Sequence, residues 1–93
     1  MSAFVVGYLV QCSEGRFLRA NGKHWSGLNS KIEFAWVHPP EILLEKDRLL
    51  GLGASCVLRA QCNPEVHPGH TQVLGGPFDL RAYNVTELQT QQA

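Results

Sequence analysis

Two thiols and two imidazoles fall within one short stretch of the chain, as Cys56, Cys62, His67 and His70. Thiolate and neutral imidazole are the ligands zinc prefers, and four of them complete a tetrahedral shell. The spacing works against that chemistry. Five residues separate Cys56 from Cys62 and four separate Cys62 from His67, whereas zinc knuckles hold a ligand pair across about two to four residues. On an extended strand the two cysteines stand ~20 Å apart, so only a bent or helical segment could close the site. The competing expectation is two packed core cysteines followed by loop histidines beside Pro68 and Gly69.

A cysteine nucleophile is the next candidate chemistry, with Cys12 or Cys62 as thiolate and His24, His38, His67 or His70 as base. No signature of a catalytic cysteine surrounds either residue, and both lie in apolar surroundings that raise a thiol pKa and blunt the sulfur. Ser13, Ser26, Ser30 and Ser55 lack the Gly-x-Ser-x-Gly elbow. Gly51-Leu52-Gly53 follows a helical stretch instead of opening one, so no helix start would cradle a phosphate. Gly75-Gly76-Pro77 reads as a turn. The expectation is therefore a protein that is not an enzyme and carries no cofactor, with the four-residue zinc set as the alternative.

Between Gly15 and Lys31 the chain carries Arg16, Arg19, Lys23, His24 and Lys31 with no acid, interleaved with Phe17 and Trp25. Cations beside aromatics suit a single-stranded nucleic-acid platform. Two facts oppose it: Arg16 and Arg19 have opposite strand parity, and the whole chain is neutral with a pI of about 6.9, where nucleic-acid domains carry a basic excess. The same stretch better suits a protein partner. Trp25 lies just past a hairpin tip, and with Phe17 and Leu28 it would form an exposed apolar patch, flanked by Arg19, Lys23 and His24. These six residues are the candidate partner contacts. Trp36 alternates with Ile32 and Phe34 and is expected in the core.

The elements that must position these residues follow from local pattern. Ninety-three residues with 44% apolar and 17% charged side chains suffice for one core and one domain, taken as residues 1–85 with a polar tail at 86–93. Residues 3–12 alternate with apolar side chains on both faces, which predicts a strand covered on both sides. Asn21-Gly22 predicts a type I′ hairpin pairing Phe17–Ala20 with Lys23–Ser26. Lys31–His38 alternates again, and Pro39-Pro40 ends it. Pro40–Leu50 has a helical pattern with Ile42, Leu43, Leu49 and Leu50 on one stripe and Lys46 inside it, stopped by Gly51 and Gly53. Ala54–Cys62 predicts a strand buried on one face through Cys56, Leu58, Ala60 and Cys62. Asn63–His70 is a proline-rich loop, and Thr71–Leu74 a short strand ended by Gly75-Gly76-Pro77. The sum is an α+β fold: a small antiparallel sheet, an N-terminal three-stranded meander plus one or two later strands, with one helix packed on a face.

The run Tyr8-Leu9-Val10, Gly15-Arg16-Phe17-Leu18, Asn21-Gly22-Lys23 and Trp25-Ser26 resembles the opening hairpin of short phage- and prophage-type bacterial domains of uncharacterised function, over the first third of the chain. It departs from that pattern at Ile32, where those domains carry Ala. The resemblance implies an inhibitor or adaptor that binds a larger protein complex. The partner expected is thus another protein or a second copy of this chain, met through the Trp25 hairpin or an open strand edge. No apolar run approaches the ~18 residues a membrane helix needs. No cation precedes the apolar start, and Gln11 is too large for the position before a processed cysteine. With three cysteines, an odd number, a reducing cytoplasm is the expected compartment.

Overall fold

The computed structural model describes residues 5–28, 30–63, 65 and 70–83. Three strands, β1 (Val5–Cys12), β2 (Ala54–Cys62) and β3 (Gln72–Asp79), form one antiparallel sheet in the order β1-β2-β3. A twelve-residue helical segment packs on it. The segment begins as a tight 3-10 turn at Pro40–Glu45 and continues as α1 (Lys46–Gly51). The fold class is thus the α+β arrangement expected from the residue pattern. The tail at 86–93, the boundary at residue 85, and His67 with most of the Asn63–His70 loop lie outside the described residues.

The apolar alternation of β1 is used on both sides. Tyr8 and Val10 join Val57, Leu18, Ile42, Leu43, Leu49 and Leu80 in one buried layer, while Leu9 joins Leu58, Ala60, Cys62, Phe17, Ala35 and Val37 in another. Each fully buried Leu or Val in these layers contributes about 1.5–3 kcal/mol. β2 is the central strand, and its second face is covered at one point: Val57, expected to face water, is completely enclosed, while Ser55 and Arg59 on that face are exposed. The cause is the helix. Ile42, Leu43 and Leu49 supply a cover over the Val57 face that local pattern could not reveal.

β1 lies at an end of the sheet, yet its outer edge is occupied. Tyr8 and His38 exchange backbone hydrogen bonds at 2.9 Å in both directions, and Leu18 N donates to Val10 O at 2.8 Å. Such covering satisfies the polar groups that an edge strand would otherwise display. The approach of the two backbones at Gly7 is close: a Cβ there would overlap the His38 carbonyl oxygen.

Two of the three strands expected in the N-terminal meander are reduced to single bridges. Phe17–Ser26 keeps the expected register, with Leu18 opposite Trp25, Ser26 N donating to Phe17 O at 2.8 Å and Arg19 N to His24 O at 2.9 Å. The turn is not type I′. Gly22 has a positive φ of 70° but Asn21 does not, and type I′ requires positive φ at both central positions. Instead Gly22 N donates to Arg19 O, and the Asn21 side-chain oxygen accepts from the backbone N–H of Lys23 and of His24, the local bonding that asparagine favours in turns. Lys31–His38 is not a strand either. A 3-10 turn at Ile32–Phe34 interrupts the extended backbone, and only His38 bridges to β1.

The helical segment starts and ends as its residues dictate. Pro40 sits in the first turn, where a missing N–H costs nothing, and Gly53 beyond the end has a φ of 105°, open to glycine at no steric cost. Lys46 lies within the apolar stripe and its ammonium escapes to backbone, donating to Arg81 O at 2.7 Å and Tyr83 O at 3.3 Å. β3 overturns a further expectation. Gly75-Gly76-Pro77 does not end a strand; β3 runs through it to Asp79 with two register shifts against β2. Gly76, at a φ of 107°, lets the chain press on β2, where a Cβ would stand 3.1 Å from Val57 O.

Candidate functional site

β2 disposes of the zinc arrangement. Cys56 and Cys62 stand on one continuous strand paired residue by residue to β1, from Gln11 opposite Cys56 to Val5 opposite Cys62. Six extended steps carry their sulfurs ~20 Å apart, so they cannot share an ion. Cys62 is packed with Leu58 and Ala60, and the Cys56 thiol donates to Gln11 Oε1 at 3.2 Å. His70 is exposed and His67 lies outside the described residues. Among the described residues no three of His, Cys, Asp and Glu gather in a metal-binding group.

The thiols are also poorly armed. Burial pushes the Cys56 thiol up, assisted by the charges of Cys12 and Asp79 and opposed by a hydrogen bond from Ser55. Burial alone pushes up that of Cys62. A raised pKa keeps sulfur in its un-nucleophilic protonated form. His38, the most buried imidazole of the described set, is held below the ordinary histidine range by burial, against the opposing pull of its hydrogen bond to Leu18 O. That bond is 3.1 Å from Nε2; since a carbonyl can only accept, Nε2 carries the proton. His38 thus serves to tie Leu18 to β1's covering segment.

The six candidate partner contacts separate into two groups. Phe17 is in the core at 6% exposure, which corrects its assignment to a surface patch. Trp25 is half-buried against the helix-side layer, and its indole N–H donates to Leu52 O at 3.0 Å. It caps a carbonyl at the helix end that would otherwise lack a partner. Arg19, Lys23, His24 and Leu28 are exposed, with Asn21 Nδ2 donating to His24 Nδ1 at 2.7 Å.

An exposed aromatic surface lies elsewhere. Ile32, Phe34 and Trp36 are 40%, 55% and 39% exposed, while Ala35 and Val37, of opposite parity, are buried. This reverses the expectation that Trp36 is core. The parity of the expected strand survives here with the opposite set turned inward, and Thr71 fixes the result: its Oγ1 donates to Ala35 O at 2.7 Å and its N–H to Glu33 O at 3.0 Å. Those bonds span more than thirty positions and had no local signal. Between this segment and the Phe17–Ser26 bridge lies an open-sided cavity of about 290 Å³. Buried Phe17, Leu18 and Ala35 line it together with exposed Arg19, Ser30, Phe34 and Trp36.

No protein-family model, curated protein or solved structure matches the chain. Among the described residues no helix is long and apolar enough to cross a membrane.

Proposed function

We propose that this chain is a small non-enzymatic protein-interaction module, an adaptor or inhibitor acting in the cytoplasm, that receives its partner in the cavity beside Phe34 and Trp36. One observation carries the proposal: the large apolar side chains at alternate positions of a covering segment, Ile32, Phe34 and Trp36, are left in solvent next to a concave apolar wall. Exposed aromatics beside a pocket are the usual anchors of protein interfaces. Of the residues first nominated, Arg19 lines this cavity and keeps its role as a contact. Phe17 supports the wall from beneath, and Trp25 holds the hairpin in place without itself meeting the partner. The protonated, packed thiols of Cys56 and Cys62 agree with a function exercised through surface shape. The three free cysteines suit a reducing compartment.

Affinity capture from a lysate of the organism that carries the gene tests this, comparing wild type with Phe34→Ser and with Leu44→Ser. Leu44 is 60% exposed on the helical segment and does not line the cavity. The expected result is one partner retained by wild type and Leu44→Ser and lost from Phe34→Ser. Equal retention by all three would assign the interaction to another surface and sink the reading.

A further inference from the structure

We infer that the cavity recognises an acidic peptide segment: one large apolar side chain set in the pocket, with carboxylates on either side. This rests on the interaction-module reading and names its partner's chemistry. Size supports the single anchor. At about 290 Å³ the cavity lies at the bottom of the range for small-molecule sites, ~300–1,000 Å³, and it is open to one side, as suits one side chain of a continuing chain.

Charge supports the flanking carboxylates. Residues 16–36 contain four cations, Arg16, Arg19, Lys23 and Lys31, and one acid, Glu33, whereas the rest of the chain carries four cations and seven acids. In a neutral chain this segment is thus locally basic, and Arg19 from it lines the cavity. Arg16 is engaged by Glu14 at 3.8 Å, while among the described residues Arg19, Lys23 and Lys31 are exposed and form no ion pair. Arg19 itself lines the cavity, and Lys31 follows Ser30, another lining residue. Such cations steer and orient an oppositely charged partner more than they hold it. A nucleic acid is the less suited polyanion. Glu33 interrupts the basic surface, the pocket accommodates one ring instead of a stacked series, and the chain has no basic excess.

A phage-displayed random peptide library selected on the purified wild-type protein provides the test, with enriched peptides then synthesised and titrated by fluorescence anisotropy. Peptides carrying Trp, Phe or Leu beside Asp or Glu are expected, binding more weakly as salt rises. Arg19→Glu should weaken them about tenfold, and Lys31→Glu, measured in the same way, provides a second reading should Arg19→Glu unfold. Peptides enriched for the apolar anchor alone, bound equally by wild type and both charge variants, would overturn this inference and leave the interaction module standing. Peptides that bind Phe34→Ser as well as wild type would remove the cavity itself and both readings with it. A labelled oligouridylate that binds wild type and displaces the peptides would reassign the site to nucleic acid and also overturn the inference.

Discussion

The two indoles occupy opposite positions in the energetics of the molecule. Trp25 closes a gap between the Phe17–Ser26 bridge and the helix end, giving its N–H to Leu52 and its ring to the helix-side layer. Trp36 stands 39% exposed on the other covering segment, while its small neighbours Ala35 and Val37 fill the opposite layer. Both belong to covering segments held by single bridges and not by full strand pairing. The difference teaches that in such segments burial is decided by which side chain fits the layer beneath, not by which is most apolar. Between β1 and the 35–37 segment there is room for an alanine and a valine over Leu9, Leu58 and Ala60, and a tryptophan is displaced outward. Close packing makes that choice sharp.

The largest way to break this contrast is to lift the 35–38 segment off β1. Gly7→Ala would drive a methyl group into the His38 carbonyl oxygen, where backbone and not a flexible side chain must yield. A loss of at least about 3 kcal/mol is expected in urea unfolding, at the upper end for overpacking, and in that variant Trp36 should lose its distinct surface environment. Trp25→Ala comes next. It removes a partly buried ring and leaves Leu52 O without its donor, for an expected cost of about 2–3 kcal/mol measured by the same unfolding curves.

Smaller is the pH effect that belongs to the same segment. Burial holds His38 below its ordinary value, so the unfolded chain takes up the proton first. Its contribution is complete above about pH 6.5 and is lost as the pH falls through that value toward the folded-state pKa. Unfolding curves between mildly alkaline and mildly acidic buffer should show this decline. His38→Gln, which keeps a donor for Leu18 O but cannot titrate, should show less of it; an unchanged pH slope would mean another group is responsible. Smallest of all is Trp36→Ala, expected to change stability by no more than about 0.5 kcal/mol, as at surface positions generally. A cost approaching that of Trp25→Ala would show that Trp36 is structural and would erase the contrast between them.

How much of this was legible along the chain depends on the range of the contacts involved. β2 and the start and stop of the helical segment could be read because alternation, Pro39-Pro40 and Gly53 act on their immediate neighbours. The Leu18–Trp25 register was legible for the same reason, although asparagine bonded to the turn backbone where a type I′ geometry was expected. The cavity was not legible. It depends on the 3-10 turn at Ile32–Phe34 and on Thr71 reaching Ala35, and Phe34 and Trp36 read as core because the Lys31–His38 pattern fits a strand equally well. The zinc set was doubtful from its spacing, and the continuous pairing of β2 made the separation of its cysteines definite.

Local preferences, each settled within a few neighbouring residues, already required a small sheet, one helix between a proline and a glycine, and a tight reversal at Asn21-Gly22. Which aromatic met water, which faces of β1 and β2 were covered, and whether Gly75-Gly76-Pro77 ended a strand were decided only when distant segments packed together. The reason is physical: a buried layer selects side chains by the space left between partners that lie tens of positions apart, and that space has no counterpart in the periodicity of any one of them.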